Sequence, residues 1–174
     1  MMQRIALLCL AAPMALIACK PANHATEQNH PLVGKPAPEL EVEPVGGDGP
    51  KTLAEARGKV VVVDFWATYC KPCKKSFPVY QEIVDTHAGK VFVLAVSMDE
   101  ADEKKPSDLL AFAENLNTSF PLLWDKEQKT AKSYKPPTMP TAYIVDKEGV
   151  VRYVHAGYTP EEAAEVKKEI EGLL

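Results

Sequence analysis

Val60-Val61-Val62-Val63-Asp64-Phe65-Trp66-Ala67-Thr68-Tyr69-Cys70-Lys71-Pro72-Cys73 joins an apolar run directly to a Cys-x-x-Cys. The run from Val60 to Trp66 is β-branched and aromatic, the composition of a strand covered on both faces. After it, apolar residues recur at Phe77, Tyr80, Val84 and Ala88, spacings of three and four that predict a helix from Lys71 to about Ala88, with Gly89 as its terminator. Cys70 then lies at a helix N-terminus, where unpaired N–H groups and the positive end of the dipole favour a thiolate. Lys71 adds a positive charge beside it. Cys73, three residues on, falls on the same face but deeper in the helix, within reach of a disulfide to Cys70. One sulfur is placed to attack and the other to resolve.

The four cysteines divide unevenly. Cys9 and Cys19 belong to an N-terminal segment in which Arg4 supplies a positive region, Ile5 to Ile17 an apolar core, and Leu16-Ile17-Ala18-Cys19 a lipoprotein-type cleavage site. The apolar stretch is short for a membrane span. Residues 1–18 are therefore read as a signal peptide and, by resemblance to bacterial lipoproteins, Cys19 as the lipidated first residue of the mature chain. Only Cys70 and Cys73 remain for chemistry. A two-residue gap closes too small a loop to add much stability as a structural disulfide. The pair supplies half of a tetrahedral zinc site, and no second Cys or His pair stands at ligand spacing, so no metal is expected.

Residues 19–36 hold Pro21, Asn23, Thr26, Gln28, Asn29, Pro31 and Pro36 with few large apolar groups, a composition expected for a flexible tether. His24 and His30 fall within it and are read as incidental. The net charge of −4, or −5 with 19 bases against 24 acids once Arg4 leaves with the leader, argues against a nucleic-acid partner. The cluster Lys71, Lys74 and Lys75 belongs to the active-site helix. Its last two members are read as a solvated face.

The domain is expected to span residues 37–174. Leu40 to Glu43, a turn at Gly46-Gly47-Asp48-Gly49, and Lys51 to Leu53 read as a β-hairpin. Val91 to Ser97 reads as a second buried strand, parallel to the first and joined to it by the helix. Asp99 to Lys105 reads as a charged loop. Ser107 is expected to cap a helix that turns Leu109, Leu110, Phe112, Ala113 and Leu116 inward, followed by an extended piece at Phe120 to Trp124 and a helix near Lys126 to Tyr134. Thr141 to Asp146 and Val150 to His155 read as an antiparallel hairpin, and Thr159-Pro160-Glu161-Glu162 as a capping box opening the last helix. Trp124 is assigned to packing, and neither His87 nor His155 has a spacing that pairs it with Cys70.

Taken together, residues 34–174 resemble the thioredoxin fold, and within it the exported, membrane-anchored thiol-disulfide oxidoreductases of the TlpA/ResA type. The resemblance rests on Cys70-Lys71-Pro72-Cys73, on Asp64, on Pro78 five residues after Cys73, and on Met139-Pro140-Thr141. It implies an α/β fold with a central mixed β-sheet flanked by helices, an N-terminal hairpin and a helix–strand insertion. It further implies that Asp64 is a buried aspartate accepting a proton from Cys73, that Pro78 kinks the helix, and that a cis bond precedes Pro140. The Met139-Pro140-Thr141 loop would then present backbone groups to an extended substrate segment. Trp66 would pack beneath the site. Tyr69 stands where many members have Trp, and Ser76 where many have Glu. The implied activity is thiol-disulfide exchange without a cofactor, acting on exported protein thiols and disulfides, with apocytochromes c among the candidates. The domain would work at the periplasmic or extracytoplasmic face, recharged by a membrane electron donor of the DsbD/CcdA type.

Two other readings use the same thiols. Peroxiredoxin-like peroxidases carry Thr or Ser three residues before the reactive cysteine, whereas Ala67 stands there and Thr68 is one residue off. Copper(I) metallochaperones on this fold use soft thiolate ligands, but with a longer gap between the cysteines and a partner histidine.

Overall fold

The computed structural model describes residues 28–174. The proposed signal peptide and lipidation at Cys19 lie outside these residues. Within them the chain runs β1 (Glu43–Gly46), β2 (Val60–Trp66), α1 (Cys73–Thr86), β3 (Val91–Ser97), α2 (Pro106–Glu114), β4 (Leu122–Trp124), α3 (Lys129–Tyr134), β5 (Thr141–Val145), β6 (Val151–Ala156) and α4 (Pro160–Leu173). The strands form one mixed six-stranded sheet in the order β1-β4-β3-β2-β5-β6. The β2–β3 and β3–β4 pairs are parallel, and β5 is antiparallel to both β2 and β6.

Every residue of β2 is buried, because β2 is central and both its faces are covered. Strand alternation sends Val60, Val62 and Trp66 into one core, shared with Phe77 of α1, Phe112 of α2 and Ile170 of α4. It sends Val61, Val63 and Phe65 into a second core with Tyr134 and Tyr143. Trp66 is the keystone of the first: its ring centroid lies 4.9 Å from that of Phe77 and 4.6 Å from that of Phe112. Aromatic contacts of this kind make truncation expensive, and Phe77→Ala would cost about 3–5 kcal/mol.

Three local expectations need correction. The N-terminal β-hairpin does not form; β1 instead pairs antiparallel with β4 at the edge of the sheet. The reason is visible at Gly47, whose left-handed backbone (φ +83) lies against Phe120 and Pro121, so the turn packs on the segment entering β4 rather than folding back on 51–53. Helix α2 is capped at Lys105, not Ser107: Pro106 takes the first helical position and the Asp108 carboxylate accepts the Lys105 N–H at 2.9 Å. The expected flexible tether is docked from His30 onward. His30 is buried edge-on to Tyr143, Gly34 N–H donates to the Val151 carbonyl, and Pro36 bridges Val150. Leu32 and Val33, too few to suggest a core on their own, complete the second core.

The remaining elements follow the sequence. Helix α1 ends at His87, and Gly89 adopts the left-handed conformation (φ +73) that turns the chain into β3. Thr159 Oγ1 accepts the Glu162 N–H at 3.2 Å, opening α4 as a Ser/Thr cap does. No helix of the described residues is long and apolar enough to cross a membrane.

Candidate functional site

At the end of β2 the chain leaves the sheet through Ala67, Thr68 and Tyr69 and enters α1 through Cys70, Lys71 and Pro72. Cys70 and Cys73 are joined in a disulfide, with Cα atoms 5.3 Å apart. Pro72, in helical conformation (φ −64), starts the helix; its carbonyl accepts the N–H groups of Lys75 and Ser76. Cys73 is fully buried while Cys70 keeps 6% of its surface, so the two sulfurs differ in access. The Cys73 N–H donates to Cys70 Sγ at 3.2 Å. That donor is one of the unsatisfied N–H groups of a helix start, and it favours negative charge on Cys70 when the disulfide is open. Lys71, Pro72 and Tyr69 are all exposed, Tyr69 by 63%.

Asp64 sits at the middle of β2 on the face that turns toward α1. It is fully buried, and burial drives its carboxyl well above the usual carboxylate range, an effect partly opposed by the Tyr80 hydroxyl. Among the described residues neither carboxylate oxygen meets a donor at standard hydrogen-bond geometry, so the Tyr80 hydroxyl is a polar neighbour of Asp64 and not a fully formed bond. Tyr80 lies on the same stripe of α1 as Cys73 and Phe77, two turns further along, and its hydroxyl is pushed up first by burial and then by Asp64. Pro78 lies inside α1, and Ser76, fully buried, donates to the Cys73 carbonyl at 3.2 Å.

The Met139–Pro140 peptide bond is cis, as the resemblance implied. Met139 is partly buried and packs against the core cluster that contains both cysteines. Around it, the Pro140 carbonyl accepts the Gly157 N–H at 2.7 Å and the Thr138 carbonyl accepts the Thr141 hydroxyl at 2.7 Å.

Asp99, read from the sequence as the start of a charged loop, is a buried part of this region. Its carboxylate accepts the Thr68 N–H at 2.9 Å, the Thr68 hydroxyl at 2.7 Å and the Ser97 hydroxyl at 2.8 Å. The Asp99 carbonyl accepts the Trp124 indole N–H at 2.7 Å. The turn that carries Cys70 is thereby pinned to the end of β3. The available signal was Ser97-Met98-Asp99, a hydroxyl and a carboxylate two residues apart where an apolar strand ends. Trp124 is buried packing, as expected, and His155 is buried against Glu169, with Nε2 and Oε2 2.6 Å apart. Among the described residues no group of three or more His, Cys, Asp or Glu is arranged to hold a metal.

A mixed sheet with a Cys-x-x-Cys disulfide where a central strand meets a helix, beside a cis-proline loop, defines a thioredoxin-like thiol-disulfide oxidoreductase. The chain belongs to the AhpC/TSA family, whose profile matches residues 33–154. It is 34% identical over 138 residues to the thioredoxin-like protein YneN of Bacillus subtilis, covering 79% of each chain. It is 29% identical over 153 residues to the thiol-disulfide oxidoreductase ResA of Geobacillus thermodenitrificans, covering 87% of this chain and 84% of that one. Among solved structures, a candidate thiol:disulfide interchange protein DsbE from Chlorobium tepidum superposes with a TM-score of 0.72 at 30% identity, over 81% of this chain and 96% of that one.

Proposed function

We propose that this oxidoreductase is an exported, lipid-tethered reductase of protein disulfides. In the reduced protein the Cys70 thiolate attacks one sulfur of a substrate disulfide, forming a Cys70–substrate mixed disulfide and releasing the other substrate sulfur as a thiolate. Cys73 loses its proton to Asp64 and attacks Cys70 Sγ. The mixed disulfide breaks, the second substrate thiolate leaves, and two electrons have passed from the dithiol to the substrate. The unequal access of Cys70 and Cys73, with the Cys73 N–H aimed at Cys70 Sγ, is the observation that supports this order of attack.

The reducing direction is favoured by the negative field around Tyr69. Its hydroxyl is pushed up by burial and then by the charges of Asp99, Glu100 and Glu103. Negative potential beside Cys70 disfavours the thiolate relative to the disulfide, which makes the dithiol the better electron donor. Lys71 acts against this, with its ammonium in solvent. The backbone of Met139, flanked by the internally bonded carbonyls of Thr138 and Pro140, is the natural contact for an extended substrate segment, with Pro140 and Thr141 holding the loop. Export and tethering rest on the leader and on Cys19. Maturation of apocytochromes c, and recharging by a membrane electron donor of the DsbD/CcdA type, complete the reading as the resemblance to the TlpA/ResA type implies.

The test is the equilibrium reduction potential of Cys70–Cys73 in the chain from residue 28 onward. A value toward about −270 mV supports a reductant, and one toward about −120 mV makes the protein an oxidant and overturns the proposed direction. Tethering is checked separately by labelling cells with radioactive palmitate: incorporation that Cys19→Ser abolishes is expected, and an unlabelled native protein would refute the lipid anchor.

A further inference from the structure

The proton that leaves Cys73 has to reach water during the interval when a substrate protein covers the Cys70 end of the site. Asp64 has no surface of its own. Its polar neighbour Tyr80, however, lines a small cleft between α1, β6, the β6–α4 connection and α4, together with His155, Tyr158 and Glu162. Tyr80, His155 and Glu162 are each less than a tenth exposed, so three polar side chains converge where an apolar helix contact would otherwise be expected. His155 Nδ1, buried in the same wall, has no protein partner among the described residues, which makes the cleft a place where a water finds hydrogen bonds.

We infer that Tyr80 is a positioning and proton-relay residue, carrying the proton from Asp64 to the cleft bounded by Tyr158, His155 and Glu162. The inference rests on the reading of Asp64 as the acceptor of the Cys73 proton. The step balances without a further reactant. Cys73 S–H and the Asp64 carboxylate become a thiolate and a carboxylic acid. The Tyr80 oxygen then takes the Asp64 proton while its own hydroxyl proton passes to a water in the cleft. Asp64 is a carboxylate again, Tyr80 remains a neutral phenol, and one proton has left through the cleft. The ionisable groups facing Tyr80 are Asp64 from β2, Tyr158 from the connection, and Glu162 from α4; His155 of β6 borders the cleft and is held by Glu169 of α4.

The experiment is a stopped-flow reaction of the reduced protein with 5,5′-dithiobis(2-nitrobenzoate). The first thionitrobenzoate reports attack by Cys70, and the second reports attack by Cys73 on the resulting mixed disulfide. Tyr80→Phe keeps the ring and removes the relay. It is expected to leave the first phase unchanged and slow the second about tenfold, an effect of the size expected for losing part of a general-base pathway. Because the Tyr80 hydroxyl favours the charged carboxylate, its loss should also move the rising limb of the second-phase pH profile to higher pH. In an Asp64→Asn background Tyr80→Phe should have no further effect. A second phase slowed by Asp64→Asn but not by Tyr80→Phe would overturn the relay and leave the Asp64 reading standing. A second phase indifferent to Asp64→Asn would remove that reading, and the relay with it. Equal slowing by Tyr80→Phe in both backgrounds would make Tyr80 a packing residue only. For the native protein, slowing of the second phase in D2O is expected, and its absence would also overturn the relay.

Discussion

The backbone N–H of Cys73 points at the sulfur of Cys70 across 3.2 Å, so the residue proposed to resolve the mixed disulfide also stabilises the one proposed to attack. Because this donor is main chain, it survives side-chain substitution at residue 73. Cys73→Ser should therefore keep the first chemical step and accumulate mixed disulfides with substrate, while Cys70→Ser should abolish turnover. Non-reducing electrophoresis and mass spectrometry of the trapped adducts distinguish the two; turnover by Cys70→Ser at the native rate would refute the assignment of Cys70 as nucleophile.

Burial of Asp64 also has a consequence for stability. Its carboxyl titrates well above its unfolded value because of desolvation, so between the two values the native state holds a proton that the unfolded chain has lost. Stability from this group is therefore full below about pH 4 and declines as pH rises through the folded value. Asp64→Asn removes the titration. The variant should be more stable than the native protein at pH 7 to 8, where the desolvated carboxylate costs the native state most, and the gap should close toward pH 4. Denaturant melts across pH 4 to 8 test this; parallel curves for the two proteins would contradict it.

Asp99 holds the turn before Cys70 through Thr68, and removing its carboxylate strands a buried N–H and two hydroxyls. Asp99→Ala should cost about 2–4 kcal/mol, and Thr68→Val, which keeps the N–H bond, about 1 kcal/mol. Both should slow attack by Cys70 more than resolution by Cys73, since the loosened segment carries Cys70. Chemical denaturation gives the stability, and the two phases of thionitrobenzoate release give the rates.

The family match invites a test for peroxidase activity. Ala67 has no hydroxyl to hold a peroxide three residues before Cys70, and the Thr68 hydroxyl is committed to Asp99 at 2.7 Å. The reduced protein should consume hydrogen peroxide no faster than a free dithiol such as dithiothreitol. Catalytic consumption that requires Cys70 would reverse the choice between the two chemistries.

Local chemistry was enough to read β2, α1, the Cys-x-x-Cys at their junction and the β5–β6 pair from the sequence, because each is signalled by neighbours within a few residues: an unbroken apolar run, a three–four spacing, a Gly or Pro at a boundary. Asp64 and the cis-proline loop came from resemblance instead, since a single aspartate in a strand and one X-Pro bond carry little information of their own. What only the tertiary structure decided are the contacts between distant segments. β1 abandons the expected hairpin because its turn meets Phe120 and Pro121, more than seventy residues away in the chain. His30 leaves the tether because Tyr143 and the Lys135 carbonyl receive it. Asp99 looks like a surface charge until Thr68 closes over it, and Tyr80 looks like one more apolar helix position until β2 sets Asp64 against it. A sequence displays the period of an element and its ends; whether a polar group is solvated or buried depends on which other elements arrive there, and packing decides that.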